Sequence, residues 1–296
     1  MPIKSILVGV DFSDITESVV KTANFFSKLF GAKVKLIHVI EPPSPLLYEE
    51  GFEPLLTIDG VELVVEVEAA LREKAEEEIK KLIKIFDPEI PVDYQIEVGD
   101  IAETILEVSE EEKIDLILIG SHQKGLLELL LIGSITEKIV NKSRTSVLVV
   151  KGNIIEDIKK LLVGYDFLPN SIEALEVAKE IASKTGAEID IVHIDADEWF
   201  AHLAHVHEEV YNKKIKLLED LKEKIEKEIS VPVKFEIQKG NPDQLLIEKI
   251  KEYDPDLVVV GKRKGKKIKK FFLGRTAMKV VRNSPKPVLI VRKREE

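Results

Sequence analysis

The sequence predicts two tandem α/β domains, each built from a five-stranded parallel sheet with helices on both faces. Two observations predict this fold. The chain of 296 residues repeats itself once, and each copy alternates short apolar runs with longer segments of helical period. A repeat of about 150 residues is too long for a solenoid unit and has the size of one globular domain. We therefore place a first domain at residues 1–153 and a second domain at residues 154–296.

The repeat is visible in residues that recur in the same order along the chain. One set recurs 155 positions later, pairing Gly9, Asp11, Gly31 and His38 with Gly164, Asp166, Gly186 and His193. A second set recurs 141 positions later, pairing Gly99, Asp115, Gly120, Gly133 and Val147 with Gly240, Asp256, Gly261, Gly274 and Val288. The offset changes once, by 14 residues, between the second and third predicted strands. The two domains therefore arose as copies of one unit.

The first copy opens with a predicted strand followed by a predicted helix. Residues 6–10 form an apolar run without alternation, which is typical of a strand buried on both faces. Asp14 and Glu17 form a capping-box pattern at the start of the helix, and Ser13 is an alternative N-cap. Gly31 stands where a left-handed C-terminal cap is expected.

The remaining elements continue this alternation of strand and helix. The first copy has further predicted strands at 34–40, 92–98, 116–119 and 147–150, and predicted helices at 61–86, about 101–111 and from about 134. The second copy has predicted strands at 161–165, 189–194, 233–237, 257–260 and 288–291. Strands separated by helices require right-handed crossovers and a parallel sheet that is covered on both faces. Residues 151–157 are the predicted junction, and the proline-rich segment 41–60 is a solvated excursion, a lid or an interface arm.

Composition and charge exclude several classes of protein. The sequence has no stretch of about 18 apolar residues and no secretory leader, so we expect a cytoplasmic protein without a membrane span. Cysteine is absent, which excludes disulfides and Cys-ligated metal sites. Residues 1–153 hold 16 basic and 28 acidic side chains, and residues 154–296 hold 28 and 26. This balance disfavours general binding of nucleic acid but allows a local basic site.

The predicted ligand site lies where the winding of each sheet reverses. With the strand order 3-2-1-4-5, the reversal falls between the first and fourth strands, and open parallel sheets bind ligands there. Asp11 follows the first strand and Gly120 ends the fourth, while Gly133 and Ser134 begin the next helix. Glycines admit backbone N–H groups to phosphate oxygens, and a helix N-terminus favours an anion. The Asp11 carboxylate suits a sugar hydroxyl or a base amino group, and no Walker loop is present.

These residues resemble the universal stress protein family over essentially the whole chain. The resemblance rests on the first strand with Asp11, on the second strand ending in His38-Val39, and on the motifs Gly120-Ser121-His122, Gly133-Ser134 and 146–150. It implies a Rossmann-like, adenine nucleotide alpha hydrolase-like fold that binds ATP, ADP or AMP, with or without Mg²⁺. By position, Val10 and Asp11 would face adenine, and Val39 would bond the base through its backbone. The ribose and phosphates would be held by Gly120, His122, Gly133, Ser134, Ile135 and Thr136.

Both copies depart from the pattern of ATP-binding family members, which carry a second glycine three residues after the first. The first copy has Gln123 at that place, so an eroded pocket is the alternative to nucleotide binding there. The second copy has Lys264 at that place and Arg275 instead of serine. We expect a weaker second site formed by Asp166, Ile194, Gly261, Arg263, Lys264, Gly274, Arg275 and Thr276.

Two further clusters have more than one interpretation. Eight basic residues lie between 261 and 275, and they form a solvated face, an anion site or a nucleic-acid contact. The run lacks interleaved base-stacking aromatics, which disfavours nucleic acid. His202 and His205 share a helix face, but two ligands without a third do not make a zinc site, so a polar helix start is favoured. His38 and His193 are interpreted as core histidines with local hydrogen bonds.

The sequence thus predicts a stress-responsive binding protein that takes an adenine nucleotide mainly in the first domain. The alternative is a scaffold with an eroded pocket and a basic anion-binding loop in the second domain. No nucleophile and base occur at a catalytic spacing, so at most slow ATP hydrolysis is expected. The resemblance also implies that the last strands of the two copies pair, with 147–150 beside 288–291. It further implies assembly of whole chains into a homo-oligomer.

Overall fold

A computed structural model describes residues 3–42, 58–121, 132–195, 204–262 and 273–292. Side chains are described throughout these ranges except in 58–64 and 204–210. The predicted insertion therefore lies largely outside the described residues, as does most of the basic loop.

The first copy alternates strands and helices as predicted. Its strands are β1 (Ser5–Gly9), β2 (Lys33–Ile40), β3 (Val92–Val98), β4 (Leu116–Gly120) and β5 (Ser146–Val150). Its helices are α1 (Thr16–Phe30), α2 (Ile58–Ile83), α3 (Ile101–Glu111) and α4 (Ser134–Lys142).

The second copy repeats the series. Its strands are β6 (Lys160–Gly164), β7 (Glu188–Asp195), β8 (Val233–Lys239), β9 (Leu257–Gly261) and β10 (Val288–Val291). Its helices are α5 (Pro169–Thr185), α6 (Ala204–Glu228), α7 (Pro242–Tyr253) and α8 (Arg275–Asn283).

The ten strands form one sheet in the order β3-β2-β1-β4-β5-β10-β9-β6-β7-β8. Pairs within each copy are parallel, so each copy has the predicted order 3-2-1-4-5. The copies meet through an antiparallel pair of their last strands, in which Leu289 lies opposite Leu148. The predicted fold and the predicted pairing of last strands are therefore confirmed. Because this pair joins two edges within one chain, it leaves neither β5 nor β10 open to solvent. Assembly of whole chains stays a prediction.

The core consists of two apolar layers, one on each face of the sheet. Successive strand residues point to opposite faces, so Ile6 and Val8 pack against Phe26 of α1, whereas Leu7 packs with Ile139 of α4. Each layer runs continuously through both copies. The central strands β1, β4, β5, β9 and β10 are thus buried on both faces, as their apolar sequences predict, whereas β3 and β8 at the two edges of the sheet alternate polar and apolar residues and are only partly buried.

The start of α1 differs from the prediction. The helix begins at Thr16, its N-cap is Ile15, and no side chain caps it, so the capping box of Asp14 and Glu17 was wrong. The Asp11 carboxylate explains the difference, because its Oδ1 accepts bonds from the Ser13 N–H (3.1 Å) and the Thr16 hydroxyl (2.8 Å). These bonds close a turn from Asp11 and shift the helix start by one to two residues. The predicted left-handed cap at Gly31 is confirmed, with φ of 67°.

Within the parts of the chain that the structure describes, no helix combines the length and the apolar character needed to cross a membrane.

Candidate functional site

A cleft of about 900 Å³ opens at the carboxyl ends of β1 and β4 in the first copy. It brings together eight of the ten predicted residues, namely Val10, Asp11, Val39, Gly120, Gly133, Ser134, Ile135 and Thr136. The other two, His122 and Gln123, lie outside the described residues. The volume falls within the range of about 300–1,000 Å³ that is usual for small-molecule sites.

One wall of the cleft is a strand edge without a neighbouring strand. β1 ends at Gly9, opposite Ile37, whereas β2 continues to Ile40. The Ile37 carbonyl accepts the last bond of this ladder, from the Val10 N–H at 3.0 Å. Because the main chain of a parallel strand bonds to alternate sides, Val39 faces the same side as Ile37, beyond the end of β1. Its N–H and C=O therefore point toward the cleft.

The side chain of His38 helps to end that ladder. Its Nδ1 lies 2.9 Å from the Val10 carbonyl, which would otherwise be the ladder acceptor for the Val39 N–H. Since a carbonyl only accepts, Nδ1 carries the proton. The Phe12 ring lies 4.3 Å from the imidazole, and Phe12 has a left-handed φ of 58°. This turn fixes the position of Asp11 next to the cleft.

The second copy repeats this arrangement. His193 Nδ1 lies 2.8 Å from the Tyr165 carbonyl, and Phe167 has a φ of 60°. Burial lowers the pKa of the His193 imidazole. The predicted local hydrogen bonds of both histidines are confirmed, although His38 is only half-buried and lines the cleft.

The opposite wall of the cleft is the N-terminus of α4. Gly133 is its N-cap, and within the described part of the chain no side chain makes a capping bond there. A Cβ added at Gly133 would meet no atom of the described residues within 4 Å, and Ser134 and Ile135 are exposed. The first-turn N–H groups of a helix have no intrahelical acceptors, and the helix dipole makes this end positive. The arrangement suits an anion.

Two residues that were predicted to bind phosphate, Gly120 and Thr136, also stabilise the packing of helices on β4. The Thr136 hydroxyl donates to the Gly120 carbonyl at 2.9 Å, so it ties α4 to the end of β4. A Cβ at Gly120 would lie 3.0 Å from Ile15 and 3.2 Å from Val19. The glycine at position 120 therefore allows α1 to pack closely on β4.

The second copy has a smaller cleft of about 440 Å³. Six of the eight predicted residues line it, namely Asp166, Ile194, Gly261, Gly274, Arg275 and Thr276. Arg263 and Lys264 lie outside the described residues, so the interpretations of the basic loop stay open. The start of α5 packs closely on Gly261 in this cleft. A Cβ added at Gly261 would lie 2.4 Å from the carbonyl oxygen of Asn170, which belongs to the first turn of α5.

A carboxylate that the sequence analysis missed lies at the N-terminus of α8. Asp243 accepts a 2.7 Å bond from the Thr276 hydroxyl, and its other oxygen lies 3.0 Å from Arg275 Nε and 3.2 Å from Lys279 Nζ. Its side chain is 2% exposed. Burial opposes ionisation, yet the Thr276 bond and the two cations hold the pKa of the Asp243 carboxyl below its ordinary value. Arg275 is therefore already paired with an internal anion.

The sequence held one signal for this contact. Asp243 follows Asn241-Pro242, which is a typical helix start, and the first copy has Ala102 at the equivalent position. The partners of Asp243 are 32 to 36 residues away in sequence, so local patterns could not reveal them.

The described residues include no group of three or more His, Cys, Asp or Glu side chains that is arranged to hold a metal ion. His202 and the side chain of His205 lie outside the described part of the structure, so their interpretation stays a prediction.

Comparison with known proteins gives the family. The universal stress protein family matches residues 2–151 and again residues 157–292. A universal stress protein of Methanocaldococcus jannaschii is 36% identical over 155 residues, which cover 50% of this chain and 94% of that protein. One from Mycolicibacterium smegmatis is 26% identical over 297 residues, covering 98% of this chain and 97% of that protein.

A solved structure agrees with the fold. The crystal structure of a universal stress protein from Archaeoglobus fulgidus has a TM-score of 0.69 to this chain at 22% identity, and 99% of each chain is covered. Since both copies match the same family, the chain belongs to the universal stress protein family as a tandem two-domain member.

Proposed function

We propose that this universal stress protein binds an adenine nucleotide, ATP, ADP or AMP, in the cleft of the first copy. It acts as a stress-responsive regulatory protein of the cytoplasm and turns over ATP slowly or not at all. The observation that carries the proposal is the pairing of two features in one cleft. Among the described residues, no side chain caps the N-terminus of α4 and no strand pairs with β2 at Val39, and these two places line the same cleft.

The phosphates belong at the end of α4. Backbone N–H groups at a helix N-terminus donate to phosphate oxygens, and the helix dipole favours their charge. The open space at Gly133 allows an oxygen to approach the main chain closely, and the exposed Ser134 hydroxyl is available for one more bond. Mg²⁺ would enter with the nucleotide, since phosphates are its usual ligands at such sites.

The base belongs at Val39. A backbone N–H next to a C=O matches the edge of adenine, which offers a ring-nitrogen acceptor beside the N6 amino donor. In guanine the donor and the acceptor exchange places, so the base orientation that pairs with adenine would set donor against donor and acceptor against acceptor. Asp11 lines the cleft between the places proposed for the base and for the phosphates, and its carboxylate suits the ribose hydroxyls.

The first copy is proposed to dominate binding. Its cleft has about twice the volume of the second, 900 against 440 Å³. In the second copy, the Asp243 carboxylate lies against the first turn of α8 and neutralises Arg275 and Lys279. A phosphate there would meet a negative charge that the first copy lacks at Ala102.

Native mass spectrometry of the purified full-length chain, followed by calorimetric titration with ATP, GTP and tripolyphosphate, tests this proposal. We expect a bound adenine nucleotide or binding of ATP at one site per chain, with GTP and tripolyphosphate at least tenfold weaker. Absence of any nucleotide together with no heat on titration would favour the scaffold alternative. Turnover of ATP well above about 1 s⁻¹, the low end for typical enzymes, would overturn both interpretations.

A further inference from the structure

Lys262 belongs to the second copy, but its side-chain amino group bonds to the first. It follows β9 and is only 4% exposed. Its Nζ donates to three carbonyl oxygens of the first copy, at 2.7 Å to Val140, 2.8 Å to Asn141 and 2.8 Å to Ser143. A lysine ammonium has three donors, so these three acceptors satisfy it completely.

The three acceptors lie at the C-terminal end of α4. The last carbonyls of a helix have no intrahelical partners, and the dipole makes this end negative. The buried Lys262 amino group therefore caps the C-terminal end of α4. Arg292, also from the second copy, reaches the Ser143 carbonyl at 3.3 Å. Farther along the helix, Glu137 pairs with Arg282 of the second copy at 2.5 Å.

The two ends of α4 thus have different contacts. The C-terminal end is fixed by cations of the second copy, whereas the N-terminal end is uncapped and lines the cleft of the first copy. The helix has nine residues and is about 13 Å long. A short helix moves as one body, so a displacement at its C-terminal end also displaces its first turn.

We infer that Lys262 is a positioning residue for the nucleotide site of the first copy. By holding the C-terminal end of α4, it sets the first-turn N–H groups of this helix at the place of the phosphates. The second copy then supports the nucleotide site of the first copy across the β5–β10 pair. The inference rests on the proposed function, because it assigns a support to that same site.

The chain offers a matched control on the other side of the β5–β10 pair. Lys151 follows β5, is 4% exposed, and donates from Nζ to the Val281 carbonyl at 2.6 Å. Val281 lies near the C-terminal end of α8, so Lys151 holds the helix of the second cleft. Substitution of either lysine removes buried cross-copy hydrogen bonds, three for Lys262 and one for Lys151, but of the two lysines only Lys262 bonds to α4.

The experiment compares Lys262→Met and Lys151→Met in the full-length chain. The first measurement is amide hydrogen exchange of α4 and α8 without any ligand. We expect at least tenfold faster exchange in α4 for Lys262→Met and in α8 for Lys151→Met. The second measurement is calorimetric affinity for ATP, which we expect to fall at least fivefold for Lys262→Met and to change less than twofold for Lys151→Met.

Unchanged α4 exchange in Lys262→Met, unchanged affinity, or an equal loss of affinity in both variants would overturn the inference. If the unsubstituted chain binds no ATP, the proposed function fails, while the exchange experiment still tests the hold of Lys262 on α4. Should Lys262→Met not fold, Arg282→Gln removes an exposed contact to the same helix. It is expected to shift exchange and affinity in the same direction by a smaller factor, and no shift in either would contradict the inference.

Discussion

The substitution Gly133→Val separates ligand binding from folding. Gly133 has φ of −62° and ψ of 149°, which any residue adopts, and no atom of the residues that the structure describes lies within 4 Å of an added Cβ. The cost to folding is then limited to a poorer N-cap residue, about 1 kcal/mol. The added methyl groups would stand in the space through which a phosphate oxygen reaches the first turn of α4.

The expected loss of affinity follows from the contacts that the methyl groups exclude. A hydrogen bond to a charged group is worth about 1.5–3 kcal/mol, and a helix terminus adds about 0.3–1 kcal/mol for a nearby opposite charge. Loss of one such bond and most of the dipole interaction amounts to about 3 kcal/mol. This loss corresponds to roughly 150-fold weaker binding of ATP.

The assay is calorimetric titration with ATP of the unsubstituted chain, Gly133→Val, and the matched control Gly274→Val at the N-cap of α8. Urea unfolding of each protein measures how much each substitution changes the free energy of unfolding, so that a loss of affinity can be separated from a loss of stability. Unchanged affinity in Gly133→Val would refute the placement of the phosphates at α4. A large loss in Gly274→Val alone would move the site to the second copy.

Four further outcomes are expected. Ser134→Ala should weaken ATP binding by about 1 kcal/mol, or up to about 3 kcal/mol if the hydroxyl meets a charged oxygen, and a titration with no change would remove Ser134 from the site. Arg275→Glu should leave ATP affinity within twofold, whereas abolished binding would make the basic loop the functional site. Asp243→Ala frees Arg275 and Lys279, so calorimetry with inorganic phosphate should detect a gain of anion binding in the second copy; no gain would contradict the account of Asp243. Burial lowers the pKa of Lys262 from 10.5 to about 7. Between pH 7 and pH 10.5 the folded state therefore binds fewer protons than the unfolded state. The free energy of unfolding should therefore rise with pH from about 7 upward, and Lys262→Met should reduce that slope by up to about 1.4 kcal/mol per pH unit in urea titrations at pH 7, 8 and 9. An unchanged slope would show that Lys262 does not titrate in this range.

Much of the fold could be predicted because its signals are local. Continuous apolar runs marked the central strands, every predicted strand ends within two residues of the observed one, and Gly31 marked the end of α1. Because the second copy repeats the first, the strand order assumed for the first copy also predicted the strand order of the second. The start of α1 was wrong because Asp11 competes with Asp14 for the turn, a choice that depends on the geometry after β1.

The residues that line the candidate site were largely predicted, but the contacts that hold those residues in place were not. Motif positions brought eight described residues to one cleft, since the carboxyl ends of β1 and β4 meet at one edge of the sheet. The glycine at 120 has a packing reason that the motif did not reveal. The sequence analysis assigned Lys262 to the basic loop, yet its hydrogen-bond partners lie 119 to 122 residues away in the other copy. Such contacts depend on the β5–β10 register and leave no periodic signal.

The most direct test of the central claim is a crystal structure of the full-length chain grown with an ATP analogue that is not hydrolysed. The account predicts the analogue in the first cleft, with the base bonded to the main chain of Val39 and the phosphates at the N–H groups that follow Gly133. An analogue bound only at the N-terminus of α8, or an empty first cleft at saturating concentration, would contradict it.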